Sequence, residues 1–194
     1  EVVIIGASIT GSVAARAAMA LGAQVKVFDH DINKLRKIQH YLGAQIFTSV
    51  IHPAVLFRAL ASADAVIGNL RYINGSERFM VSEDLVKTMK KGAVIVDLSV
   101  DQGGCFETSE CRTISNAVFV KHGIIHYCVP NISARVGRTS SMALSNIFSH
   151  ILLKIGHSGS VRQSIAESSG FRHGAYIFNG IMVNRLIGDY YNIP

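Results

Sequence analysis

The amino-acid sequence predicts a doubly wound α/β fold, in which a parallel sheet is covered by helices on both faces. Two observations carry that expectation. Short runs at residues 2–5, 24–28, 46–48, 65–67, 93–98 and 124–129 are apolar almost throughout, as in strands buried on both faces. The segments between them carry helix start and stop signals, so strand and helix alternate along the chain.

Taken in order, the first strand, Val2-Val3-Ile4-Ile5, runs into an Ala-rich helix over residues 12–21 that Gly22 closes. A second strand at 24–28 precedes Asp31, whose carboxylate can cap a helix reaching about Leu42. After the short strand at 46–48, Pro53 opens a helix to about Ser62, since proline suits the first helical turn. The strand at 65–67 follows, then a helix capped by Ser82 that is expected to end at Lys91-Gly92. Strands at 93–98 and 124–129 complete the sheet. Beyond about Ser133 the alternation stops. Thr139-Ser140-Ser141 is expected to cap a long helix over 142–155 that closes at Gly156, followed by a Gly/Ser-rich stretch and mixed helix and loop. The expected division is therefore an α/β domain over 1–138, then an exit helix and a segment of a second domain over 139–194.

Composition narrows the functional classes. Hydrophobic residues make up 49% and charged residues 16%, which supports a large core and excludes disorder. The net charge of +6 is spread over scattered Lys and Arg with no basic run, so nucleic-acid binding is not expected. No stretch reaches the ~20 apolar residues of a membrane span, and no signal peptide is visible, so a cytoplasmic protein is expected. Cys105, Cys111 and Cys128 form no CxxC pair, which fits a reducing compartment and offers no zinc site. The chain starts at Glu1, directly before a strand and without methionine, and is expected to come from a longer protein.

Gly6-Ala7-Ser8-Ile9-Thr10-Gly11, after a strand and opening a helix, is a dinucleotide fingerprint with Ser8 at the second glycine position. Gly6 allows the tight turn, Gly11 lets the helix pack closely, and the helix amino end offers N–H groups to a pyrophosphate. Ser8 adds a Cβ where the backbone approaches the phosphate, and a hydroxyl that can bond it. Asp29 closes the second strand, where its carboxylate can accept from an adenosine ribose and repel a 2′-phosphate; this favours NAD over NADP. The loop from Val100 through Asp101-Gln102-Gly103-Gly104-Cys105-Phe106-Glu107-Thr108 follows the strand ending Val96-Asp97-Leu98, and its glycines permit turns that aim Asp101 into the crevice. His122 and His126 are four apart but flank a β-branched run, so no metal is expected. Cys105 lacks a base partner and reads as a packing residue.

That loop, preceded by Gly92-Ala93-Val94-Ile95-Val96-Asp97, resembles the signature of alanine dehydrogenases. Lys121-His122-Gly123-Ile124-Ile125-His126-Tyr127-Cys128-Val129-Pro130-Asn131 resembles the strand that follows it, and Arg138-Thr139-Ser140 through Ala143-Leu144-Ser145-Asn146 the exit helix. The resemblance covers about residues 1–155. It implies NAD-dependent oxidative deamination of L-alanine to pyruvate and ammonia, in a homo-oligomer, with the substrate-holding lysine and histidine supplied by a preceding domain absent from this chain. It implies that Gly6, Ala7, Ser8, Ile9, Thr10 and Gly11 hold the pyrophosphate, and that Asp29 and Lys34 serve the adenosine end. Gly68, Asn69, Leu70, Leu98 and Ile132 then line the dinucleotide groove, while Asp101 and Asn131 sit at the nicotinamide and substrate. Departures from the family pattern are Ser8 for glycine, Asn69-Leu70-Arg71-Tyr72 in a loop more often apolar and proline-containing, and Ile132 where methionine is usual. The rival readings are a nucleotide domain of a proton-translocating transhydrogenase and a non-catalytic NAD-binding module.

Overall fold

The computed structural model describes residues 1–70, 79–185 and 188. It forms two compact units, Glu1–Ile132 and Ser133–Pro194, so the division falls ahead of the expected one after Arg138. Arg71 and Tyr72 of the departing loop, and residues 186–187 and 189–194 of the tail, lie outside the described residues.

In the first unit, β1 (Val2–Ile5), β2 (Val25–Asp29), β3 (Phe47–Val50), β4 (Ala65–Gly68), β5 (Val94–Asp97), β6 (Val118–Lys121) and β7 (Ile124–Tyr127) make one sheet in the order β3-β2-β1-β4-β5-β7-β6. All neighbours are parallel except β6, which runs antiparallel to β7. The order reverses between β1 and β4. Strand side chains alternate between faces, and the two faces bury separate cores. Val3, Ile5, Phe28, Val66 and Ile95 pack against α3 (Pro53–Ser62) and α4 (Glu83–Lys87). Ile4, Val25 and Val27 pack against α1 (Ile9–Ala20) and α2 (Ile32–Leu42). Each fully buried Val, Ile, Leu or Phe contributes about 1.5–3 kcal/mol, so both layers are strongly held to the sheet. This is the expected doubly wound fold.

Local chemistry explains where elements begin and end. Asp31 caps α2 by accepting from Asn33 N–H at 2.8 Å, and Gly43 ends that helix in the left-handed region. The helix after Ser82 stops at Lys87 rather than Lys91, because Thr88 Oγ1 donates to the Leu85 carbonyl at 2.7 Å and the next turn tightens to a Met89 N–H bond to Val86. Strand β6 was not expected. It joins β7 through His122 and Gly123, both at positive φ, the two-residue turn that suits a twisted hairpin. The hairpin tip is tied down by Lys91 Nζ donating to the His122 carbonyl at 2.6 Å and Gly92 N–H to Gly123 at 2.8 Å.

The second unit begins with a 3₁₀ turn (Ile132–Val136 spans the division) and the long helix α5 (Gly137–His157). Thr139, Ser140 and Ser141 are inside α5 rather than capping it, and Gly156 lies within its last turn. Helices α6 (Val161–Glu167) and α7 (Ser169–Gly174) follow, then a small hairpin of β8 (Ile177–Phe178) and β9 (Ile181–Met182). That hairpin turns at Asn179-Gly180, both at positive φ, in a stretch expected to be helix and loop. Among the described residues no helix is long and apolar enough to cross a membrane.

Candidate functional site

The carboxyl ends of the parallel strands gather nearly all the residues singled out in the sequence, around the reversal point between β1 and β4. Open α/β sheets bind ligands in this crevice.

At the end of β1, Gly6 turns at φ +115, and a side chain there would press on the Asn69 carbonyl, 2.7 Å from the position of its Cβ. A Cβ on Gly11 would run into the Gly6 carbonyl oxygen. Both glycines are therefore required by close approach, and they let α1 start directly above the strand. Ser8 caps α1, its Oγ accepting from Gly11 N–H at 3.3 Å and from Asn69 Nδ2. Ile9 and Thr10 sit on the exposed crest, and their N–H groups meet no acceptor among the described residues. A groove of about 540 Å³ runs from Ser8, Ile9, Thr10 and Val13 to Lys34, Lys37 and Tyr41 of α2. Lys34 thus lines the groove that opens beside the turn. Lys37, one helical turn on, was missed, although the spacing places it on the face of Lys34.

Asp29 is tied into the fold itself. It is 1% exposed, and its oxygens accept from Ala7 N–H at 2.7 Å and Asp31 N–H at 2.9 Å. Its observed work is to hold the glycine turn against the end of β2.

At the end of β4, Gly68 is a seat for packing: a Cβ there would collide with the Phe106 ring and lie 2.7 Å from Cys105 Cβ. Asn69 N–H donates to the Ile5 carbonyl at 2.8 Å, and Leu70 turns inward against the core. Leu98, after β5, is half-buried and donates its N–H to the Gly68 carbonyl at 2.8 Å.

The loop after β5 is organised by a residue that sequence reasoning passed over. Asp97 is 1% exposed and accepts from Ser99 N–H and Oγ (both 2.9 Å), Cys105 N–H (2.8 Å), Phe106 N–H (3.4 Å) and Ser109 Oγ (2.6 Å). Gly104, at φ +84, brings the backbone so near that a Cβ would sit 3.1 Å from Asp97 Oδ2. Cys128, in turn, donates its thiol to Ser109 Oγ at 3.7 Å, joining the end of β7 to this cluster. Burial pushes both the Cys105 and Cys128 thiols up from their ordinary range, so Cys105 is a packing residue and not a thiolate. The far end of the loop is fixed by a buried pair. His126 Nδ1 faces the Ile124 carbonyl at 3.0 Å, which can only accept, so Nδ1 carries the proton and Nε2 accepts from Thr108 Oγ1 at 2.9 Å. Burial lowers the His126 pKa and keeps the ring neutral. His122 sits at the hairpin tip, bonded to Glu83.

Asp101 is exposed, in a 3₁₀ turn (Val100–Gln102) over the end of β5. Asn131 is exposed beyond β7, the strand beside β5, and takes φ +54, with Ile132 next to it. The buried anchors Asp97, Thr108 and His126 and the half-buried Ser109 had only a faint signal in the sequence: polar residues in or near apolar runs.

Known proteins resemble this chain throughout. A family described as alanine dehydrogenase/PNT, C-terminal domain, matches residues 1–185. The alanine dehydrogenase of Mycolicibacterium smegmatis is 37% identical over 194 residues, covering 100% of this chain and 52% of that protein. The alanine dehydrogenase of Bacillus subtilis is 36% identical over 181 residues, covering 93% and 48%. Among solved structures, an L-alanine dehydrogenase superposes with a TM-score of 0.88 at 29% identity, covering 100% of this chain and 53% of that one. A transhydrogenase from Sinorhizobium meliloti gives 0.65 at 26%, covering 79% and 44%. The chain thus spans about half the length of the curated relatives it matches. With a family match over residues 1–185, the chain belongs to the alanine dehydrogenase/PNT family, as its C-terminal domain.

Proposed function

We propose that this chain is the NAD-binding domain of an enzyme that oxidatively deaminates L-alanine to pyruvate and ammonia. The observation that carries the reading is the Asp101 loop, tied by Asp97 to the end of β5 at the same sheet edge as the glycine turn. A loop anchored by so many bonds keeps a carboxylate in one place, which catalysis by positioning requires. The glycine turn fits a pyrophosphate: Gly6 and Gly11 let α1 start directly above β1, and the Ile9 and Thr10 N–H groups at its start await an acceptor. Lys34 and Lys37 add positive charge beside it. Asp29 favours NAD over NADP through its charge at the end of β2, where it also accepts two backbone N–H groups.

A bound NAD would supply the acceptor for the hydride that leaves the α-carbon of the amino acid. Asp101 orients and deprotonates the water that attacks the resulting imine, and Asn131 positions the reacting groups beside it. The residues that hold the substrate come from the rest of the protein, which works as a homo-oligomer in the cytoplasm. A transhydrogenase domain is the weaker alternative; the similarity to the transhydrogenase structure is lower and covers less of this chain.

The test is the alanine-dependent production of NADH by the full protein, beside titration with NADH and NADPH. Turnover with alanine and tighter binding of NADH are expected. Binding of NADH without alanine turnover would remove the dehydrogenase assignment, and preference for NADPH would remove the role of Asp29.

A further inference from the structure

Two of the departures from the family pattern, Ser8 of the turn and Asn69 of the loop after β4, are 61 residues apart and meet in a hydrogen bond. Asn69 is itself fixed across the reversal point by its N–H bond to Ile5 at 2.8 Å. The pair therefore bridges the crevice between β1 and β4, where the pyrophosphate of the reading above would lie. A hydroxyl has two lone pairs and one hydrogen to give. Gly11 N–H and Asn69 Nδ2 occupy both lone pairs of Ser8 Oγ, and its hydrogen meets no acceptor among the described residues. An ordinary helix cap needs only the bond from Gly11. The bond from Asn69 does something more: with both lone pairs engaged, the hydroxyl is left only to donate, beside the bare N–H groups of Ile9 and Thr10.

We infer that Ser8 and Asn69 act as a unit, Ser8 donating its hydroxyl hydrogen to a pyrophosphate oxygen and Asn69 holding the hydroxyl in that orientation. The unit replaces the close backbone approach that a glycine at position 8 would permit. Donors already accepting other hydrogen bonds are polarised, and a bond to an ionised phosphate is charge-assisted.

This inference rests on the dinucleotide reading, and the experiment separates the two. NADH, ADP and adenosine are titrated into the full protein and into Ser8→Ala, Ser8→Thr, Asn69→Ala and the Ser8→Ala/Asn69→Ala double variant. Loss of a charge-assisted bond predicts about tenfold or greater weakening of NADH and ADP by Ser8→Ala, with adenosine unchanged. Ser8→Thr keeps the hydroxyl and stays within about threefold of wild type. Asn69→Ala weakens ADP less than Ser8→Ala does, and the double variant is no weaker than Ser8→Ala alone, as coupled residues require. Asn69→Ala leaves the Gly11 cap intact, so it tests the inference even if Ser8→Ala fails to fold. Unchanged or tighter ADP binding by either single variant overturns the inference, because the pair would then be inert or an obstruction. Equal weakening of adenosine and ADP also overturns it, since the pair would be shaping the domain as a whole. A wild-type protein that binds none of the three removes the dinucleotide reading itself.

Discussion

Asp29 and Asp97 each end a strand of the sheet and each is 1% exposed, yet they hold their loops very differently. Asp29 accepts two backbone N–H groups, from Ala7 and Asp31, and leaves the crest of the glycine turn bare. Asp97 accepts five donors from four residues and draws in nearly the whole loop up to Ser109. Under the proposed function the difference follows from the task. A turn that binds pyrophosphate would work by presenting unpaired N–H groups, so its anchor must leave them free. A loop that carries a reacting carboxylate would work by staying still, and the donors from Ser99, Cys105, Phe106 and Ser109 tie it down.

Removing each anchor breaks the comparison most directly. Hydrogen bonds to a charged acceptor contribute about 1.5–3 kcal/mol each, and buried donors left without a partner cost about 1–3 kcal/mol. Asp97→Ala, which strands several donors, is expected to cost about 3–6 kcal/mol in urea unfolding, and Asp29→Ala about half of that. An Asp29 variant as damaging as the Asp97 variant would show that the number of donors is the wrong measure of the anchor.

A smaller effect is expected from Asp101→Asn in the full enzyme. The swap keeps size but removes the charge and the ability to take a proton, so kcat falls by about a hundredfold, or roughly 2.7 kcal/mol of barrier. Asp101 is exposed, so unfolding free energy moves by no more than about 0.5 kcal/mol and NADH affinity little. A folded variant with most of its turnover would leave the loop rigid but without catalytic purpose.

What was legible in the sequence was local. The strands β1, β2 and β4, the glycine turn, the Asp31 cap and the Pro53 helix start all rest on neighbouring residues. What was missed rests on partners far apart in the chain. An aspartate at a strand's end looks the same whether it faces a ligand or a loop, so the bonds that Ala7 and Asp31 give to Asp29 went unread and Asp97 was passed over. Ser8 and Asn69 each looked like an isolated departure, because nothing in the order of residues shows that they touch. Strand β6 is four residues long and turns at His122-Gly123, a weaker hairpin signal than Asn-Gly. The hairpin at Asn179-Gly180 carried that stronger signal, but its strands have only two residues each, too short for alternation to be read.

The smallest expected effect separates the two loops by pH. The signature loop has a titratable partner at its far end, His126 on Thr108, whereas the anchor of the glycine turn, Asp29, bonds only backbone N–H groups. Burial holds the folded His126 pKa below its ordinary 6.5, so as pH falls the unfolded chain takes up this proton first. The stabilisation is therefore present above about pH 6.5 and is lost as pH drops through the folded value. Protonation would also put a second N–H on the ring facing Thr108, which must then turn its hydroxyl hydrogen away. The melting temperature of the wild type is expected to fall between pH 7.5 and pH 5.5, and His126→Gln, uncharged throughout, should flatten that slope. His122→Gln serves as the control, because His122 lies at the hairpin tip against Glu83 and not behind the loop. If the slope survives in His126→Gln and disappears in His122→Gln, the acid-sensitive element is the hairpin tip, and Thr108 is held by packing rather than by a neutral imidazole.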